Sequence, residues 1–437
     1  MGTYNYWLNY TICLLSQKQN SKSIMTLLLQ SYQKSIAILA ITILLVINYT
    51  IVLAGLDNNF FGIIFSILLF LYAGRKTTLK LSYPLLGVIF LLEFISYRLH
   101  TKSLHFYALL LLICFIYYSF TRRFSFIAFI CLFLFSSIFD QLFNYLTVEI
   151  KQTLCYGVYH TLKNFLPITK IEGVNFYIND AKISIDTACM GLSMFKTGLL
   201  SGAFLLTLEE RKQQKYFSIL QILVFCSVLV ILNIVSNYFR IITLVLFNCT
   251  EENILHHTIG IVCFVFYQIA PILFLIRFFI PKKDEISSIK IQQKFTTILF
   301  ATGILFITSF EIKKQQNYSL LENLNPSYNV KNGVWINNEV FKITTPETLT
   351  YIKTPIHKPL ICWTGNGYKI IESKEISIKN EKIWLTKMEK DNVLYFSYWW
   401  YEYDHKKYTS LTKVLLLKLF NNKTLRLINE TSIKELE

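Results

Sequence analysis

Apolar runs close to membrane-crossing length recur from Ser35 to about Phe310, with short basic loops between them. A hydrocarbon core about 30 Å thick takes roughly 20 apolar residues as a helix and leaves no unpaired backbone, so such a chain crosses the bilayer as a bundle of helices. The runs are Ile36–Ala54, Phe60–Ala73, Tyr83–Tyr97, Leu104–Phe120, Phe124–Phe143, Met190–Leu206, Tyr216–Ser236, Leu255–Ile280 and Phe295–Phe310. Pro84 and Pro281 stand at run ends, where helix termini accept them. Only 16% of the residues are charged and 53% are hydrophobic, against about 25% charged in a soluble domain. The expected fold is an all-α polytopic membrane protein of about nine transmembrane helices over residues 35–310. Residues 1–34 precede it, and residues 311–437 form a small α+β or mainly-β domain.

A net charge of +16 raises the question of nucleic acid, but the cations lie between the apolar runs rather than on one face. No zinc-finger spacing, RNA-binding signature or phosphate-cradling glycine loop accompanies them, so nucleic acid is excluded as a partner. Loop cations instead set orientation and meet anionic lipids. With Lys18, Lys22 and Lys34 on the cytoplasmic side, the same side receives Arg75, Lys76 and Lys80, then Arg122 and Arg123, then Arg211, Lys212 and Lys215, then Lys282, Lys283, Lys290 and Lys294. Loops on the other side carry little positive charge beyond Arg98 and Lys102. The long mixed segment from Asn144 to Cys189 is then extracytoplasmic, as is the C-terminal domain. Residues 1–34 lack a basic start followed by a small-residue cleavage site, and the first helix is expected to act as its own insertion signal. Ile241–Phe247 is apolar but short, and reads as an interfacial or re-entrant piece.

The nine cysteines include no CxxC pair, and Cys114, Cys131, Cys226 and Cys263 lie inside apolar runs as small hydrophobes. Cys189 differs. In "DTACMGLSMF" it precedes Gly191 at the opening of an apolar run, where a helix N-terminus and a nearby cation lower a thiol's pKa. Arg240 in "NYFR" and His256–His257 fall at other run ends on the same expected membrane side. Singly, a buried cysteine, a snorkelling arginine and a terminal histidine are ordinary. Together they supply a nucleophile, an oxyanion or thiolate partner and an acid–base group, the parts of acyl transfer through a thioester.

At these residues the chain resembles the exosortase and archaeosortase family of integral membrane transpeptidases. "DTACMGLSMF" matches the family's nucleophile motif at Cys189 with Asp186 flanking, "NYFRI" matches the next motif at Asn237 and Arg240, and "HHTIGIVCF" matches the third at His256 and Gly260. His257 competes with His256, and the spacing to Gly260 favours His256. The resemblance implies a bacterial inner-membrane enzyme that cleaves C-terminal sorting signals of exported proteins, each a short motif, a transmembrane helix and a basic tail. The acyl group would pass to an envelope polysaccharide or lipid acceptor. It implies no cofactor, and the residues suggest no metal site, since His256–His257 lacks further ligands at usable spacing.

After Phe310 the chain turns rich in Lys, Asn, Thr and Tyr, and "GVWINNEVFKI" and "VLYFSYWWYEY" alternate as strands do. "HKPLICWTGNGYKI" followed by the second of these resembles the exosortase-associated periplasmic domain, and the long extension resembles the exosortase N subgroup. Trp399–Trp400 reads as strand core before it reads as a ligand platform. His357 and Cys362 are a weaker second Cys–His pair. Two other readings remain open: a non-enzymatic membrane component of exopolysaccharide export or assembly, and a transporter, for which Glu93 is the notable intramembrane carboxylate.

Overall fold

The computed structural model describes residues 31–435 except 57–58, 78, 141–147, 173–174, 179–180, 185–191, 248–253, 285–294, 314–319, 327, 338, 356–362, 364–367, 379–380, 391 and 422. Cys189, Asp186, Cys249, His357 and Cys362 lie outside the described residues. The chain divides into two compact units, residues 1–93 with 102–309, and residues 94–101 with 310–437.

The first unit is built from α1 (Ser31–Ile47), α2 (Tyr49–Leu56), α3 (Phe60–Ala73), α4 (Ser82–Leu99, as far as Glu93), α5 (Lys102–Thr121) and α6 (Phe126–Leu134). Then come α7 (Val148–Leu162), α8 (Leu192–Gln213), α9 (Ile219–Leu246), α10 (Ile254–Phe278) and α11 (Phe295–Lys313, as far as Ser309). Five of the described helices, α4, α5, α9, α10 and α11, are long and apolar enough to cross a membrane, and six spans result if the α1–α2 pair, bent by 79°, counts as one. The apolar runs therefore do not each return as one spanning helix. The 14 residues of α3 are short of a bilayer, α6 stops after nine at Phe135, and α8 carries Lys196, Glu209 and Glu210. Ile241–Leu246 is not a separate piece. It continues α9, whose 28 residues contain no proline or glycine and start from a capping box between Ser218 and Gln221.

The basic loops meet at one end of this unit. Arg75–Lys76 pairs antiparallel with Arg123–Phe124, and Lys215–Tyr216 pairs with Lys283–Asp284. Arg75 joins the two pairs, lying 3.8 Å from Glu210 and over the Tyr216 ring. α5 and α8 each enter a bridge through a left-handed residue, Arg122 (φ 55°) and Gln214 (φ 52°), the turn by which helices commonly end.

The other ends of α1, α4, α5 and α11 share a buried polar cluster. His105 Nδ1 meets Glu93 at 2.9 and 3.0 Å, and Thr308 donates to the same carboxylate. His105 Nε2 lies 3.2 Å from Ser309 Oγ, which also receives the Asn48 amide at 2.7 Å. Asn48 sits at the α1–α2 break, where its amide also bonds Leu44 O.

In the second unit an antiparallel sheet runs β7 (Lys369–Ile378), β8 (Glu381–Lys390), β9 (Val393–Tyr403), β11 (Leu425–Ser432), β6 (Thr348–Lys353), β5 (Val340–Thr344), β4 (Gly333–Asn337), with β10 (Lys406–Tyr408) beside β9. β9 is aromatic at both parities because both its faces are covered. Phe396, Tyr398 and Trp400 pack with Ile383, Leu385 and Ile428, while Tyr401 and Tyr403 pack with Val414 of α12 (Leu411–Phe420). Trp400 is thus core, and Trp399 stacks on Trp384 across the β8–β9 register. Arg426 pairs with Glu402 and donates to the carbonyls of Leu320, Glu322 and Asn323, fixing the turn that leads into the sheet.

Lys418 on α12 faces inward, and burial pulls its pKa from 10.5 down to about 8. Between those values the unfolded chain holds a proton that the folded one has released, so stability rises with pH across that window and is flat below it. Lys418→Met is expected to raise the melting temperature at pH 7 and abolish that rise. Intrinsic fluorescence of the intact protein checks this, because Trp335, Trp363, Trp384, Trp399 and Trp400 all lie in this unit and only Trp7 lies elsewhere.

Candidate active site

Arg240 sits in the sixth turn of α9, about 32 Å from the Ile219 end at 1.5 Å per residue. That places it opposite the stitched basic loops. α9 turns a buried polar stripe, Asn233, Ser236, Asn237 and Arg240, toward its neighbours, at the three- and four-residue spacing that shares a helix face. α10 answers with His256, Gly260 and Cys263 on one face, all buried. Ser236 Oγ donates to Cys263 O at 3.1 Å, and Phe239 stacks on Tyr267 with ring centres 4.3 Å apart.

Within this seam the Arg240 guanidinium donates from Nη2 to His256 Nε2 at 3.2 Å and from Nη1 to Met194 Sδ at 3.3 Å. Arginine only donates. Nε2 is therefore the accepting nitrogen, which assigns the neutral ring's proton to Nδ1. The spacing of His256 to Gly260 acquires a physical reason here. A Cβ on Gly260 would lie 3.3 Å from both Cζ and Nε of Arg240, tighter than a close-packed neighbour accepts without moving. The glycine is the seat of the guanidinium, and the histidine one turn earlier is its partner. Of the adjacent histidines, His256 is buried against Arg240, whereas His257 is exposed.

A cavity of about 550 Å³ opens beside the pair. Ser193, Met194 and Thr197 of α8 form one wall, and His257, Gly260, Ile261, Phe264 and Val265 of α10 the other, with Arg240 and His256 also exposed to it. Cys189 precedes α8 by three residues in sequence and lies outside the described residues. The cluster of α7, the small sheet β1 (Ile168–Glu172), β2 (Asn175–Ile178), β3 (Ala181–Ser184) and the upper parts of α9 and α10 packs against this end through Val158, Phe176, Leu244 and Ile259.

Two nearby features escaped the sequence reading. Lys196 on α8 is buried in an ion pair with Asp140 and donates to Asn59 Oδ1 at 3.0 Å, while Asn59 Nδ2 donates to Asp140 at 2.9 Å. Its signal was a single cation within an apolar run. The second is Gln268, in a π-helical turn over Val265–Ile269 that interrupts α10. Its amide points at Gly198, where a Cβ would be 2.0 Å from Nε2, and neither amide atom has a hydrogen-bond partner among the described residues. Replacing two such buried polar atoms with an apolar side chain removes a desolvation cost of about 1–3 kcal/mol. Gln268→Met is expected to raise thermal stability by that order, read from the unfolding of detergent-solubilised protein.

A bundle of membrane-length helices with an arginine–histidine pair and a cavity buried at one end defines an integral membrane protein whose site lies within the helices. Residues 57–275, half of the chain, match the family model described as "Transmembrane exosortase (Exosortase_EpsH)", and the chain belongs to that family. The matched region contains Cys189, Arg240 and His256 and ends before the second unit's sheet. No curated protein and no solved structure matches the chain.

Proposed function

We propose that this protein is a membrane-embedded cysteine transpeptidase that removes C-terminal sorting signals from exported proteins. The observation that carries the reading is the buried Arg240–His256 pair beside a cavity walled by α8, the helix that follows Cys189. The Cys189 thiol gives its proton to His256 Nε2 as its sulfur attacks the scissile carbonyl carbon. Arg240 turns its donors from Nε2 to the developing oxyanion, which frees that nitrogen for the proton. Collapse of the tetrahedral intermediate breaks the C–N bond, His256 hands the proton to the leaving amine, and a thioester remains on Cys189. An amine or hydroxyl of an envelope polysaccharide or lipid then displaces the thiol. The substrate's own helix packs against the enzyme's helices, and its basic tail stays with the basic loops on the cytoplasmic side. This orientation puts the site and the C-terminal unit outside the cytoplasm of a bacterial inner membrane.

The test is to trap the intermediate. Membranes containing the enzyme and an exported protein with a C-terminal helix and basic tail are quenched, and the peptide carrying Cys189 is examined by mass spectrometry. A hydroxylamine-labile acyl adduct on Cys189 is expected. Tail removal that continues with the Cys189 thiol blocked, and no adduct, would sink the proposal and leave an export component as the better reading.

A further inference from the structure

The helix α12 is apolar on both sides. Its inward face carries Val414 with Leu411, Leu415 and Leu417 against the sheet, and it also holds Lys418, only 6% exposed, while Lys413 faces out. Its outward face carries Leu416 and Phe420, which are 53% and 73% exposed. A helix face that meets only water is polar. Here two large apolar side chains stand free on it, one helical turn apart on the same stripe.

A second observation says what covers that stripe. The residues from Phe94 to Thr101, the last turn of α4 and its exit, belong to the same compact unit as α12. There Arg98 donates from Nε to Leu419 O at 2.5 Å and from Nη2 to Phe420 O at 2.6 Å. The guanidinium satisfies two of the carbonyls that a helix C-terminus leaves unpaired, and sets its charge at the negative end of the helix dipole. Arg98 is the basic residue in the last turn of α4, a helix of membrane-crossing length and hydropathy. An arginine in that position holds its head at the lipid headgroups. The C-terminus of α12 is therefore tied to the depth at which α4 leaves the hydrocarbon, and Phe420 is one of the two residues so tied.

We propose that α12 is an interfacial helix that lies along the membrane surface with Leu416 and Phe420 inserted among the lipids. Apolar area entering the headgroup–acyl boundary is what holds such helices down. Lipid on the outward face gives Leu416 and Phe420 the apolar surroundings they lack in water. The sheet covers the inward face of α12 through Tyr401, Tyr403, Leu425 and Leu427, and the bilayer covers the opposite stripe. The proposal stands independently of the chemistry assigned to Cys189.

The experiment places the photoreactive residue p-benzoylphenylalanine at position 416, 420 or 374 of the full-length protein in phospholipid vesicles. Lys374 is an exposed position on β7 and serves as the reference. All three side chains are exposed, so the fold tolerates the change, and the melting temperature of each variant confirms it. Phospholipid adducts at 416 and 420 are expected at tenfold or more the yield at 374, detected as a mass shift of the α12 peptide. Adducts to a polypeptide instead, whether a second copy or an exported chain, would overturn the proposal. So would lipid adducts no more frequent than at 374.

Discussion

Arg240→Ala is expected to slow tail removal by about 10²–10³-fold, the usual effect of deleting one preorganised donor to an oxyanion, and Cys189→Ala to abolish it. The expectation for Arg240 rests on how little freedom its side chain has. It is buried, bonded to His256 and Met194, and seated on Gly260 with no spare room. A group held this way changes partners at the transition state without being ordered anew. Arg240→Lys keeps the charge but loses the planar fork, and should fall between wild type and alanine. Rates of tail loss in reconstituted vesicles, normalised to inserted enzyme, give the order wild type, lysine, alanine. A wild-type rate for Arg240→Ala would remove the arginine from the chemistry.

The second large effect concerns folding. His105→Leu leaves the buried Glu93 carboxyl without its ring partner, and an unsatisfied buried polar group costs about 1–3 kcal/mol or more. The double change Glu93→Leu with His105→Leu is expected to recover most of the loss, because replacing both partners by apolar side chains leaves neither of them unpaired. Unfolding can be followed with a thiol-reactive dye, since Cys114 on α5 and Cys131 on α6 are buried and become reactive only when the bundle opens. A double variant as unstable as the single one would mean that Thr308 and Ser309, which bond to Glu93 and His105, and Asn48, which bonds to Ser309, carry the cluster's stability instead.

The parts of this molecule that could be read from its sequence are those whose cause is local. His256 and Gly260 share a face because four residues make about one helical turn, and the alternation along β9 announces a strand. The helical bundle and the C-terminal sheet follow from apolar runs and period-two alternation. Other features depend on partners distant in the chain. Nothing near Lys196 says that Asp140 and Asn59 will meet it. Nothing near Gln268 says that α10 will take a π turn and aim it at Gly198. The expected nine spans compare with five or six helices of membrane-crossing length and hydropathy among the described residues, for a related reason. An apolar run gives the amount of greasy chain, whereas helix breaks such as those at Asn48 and Phe135 are set by what packs around them. Glu93 stood out as an intramembrane carboxylate, but its histidine, its hydroxyls and its asparagine come from three other helices.

The stitched basic end has a consequence for anyone wishing to engineer the chain. Short loops between helices are ordinarily where a tag, a reporter or an extra residue is tolerated. Here Arg75–Lys76 and Lys215–Tyr216 are each bound in register to a loop far along the chain. Because side chains alternate along a strand, one added residue would turn Arg75 away from Glu210 and Tyr216. These turns behave as a joined base plate, and a fusion placed in one of them would disturb its distant partner as well.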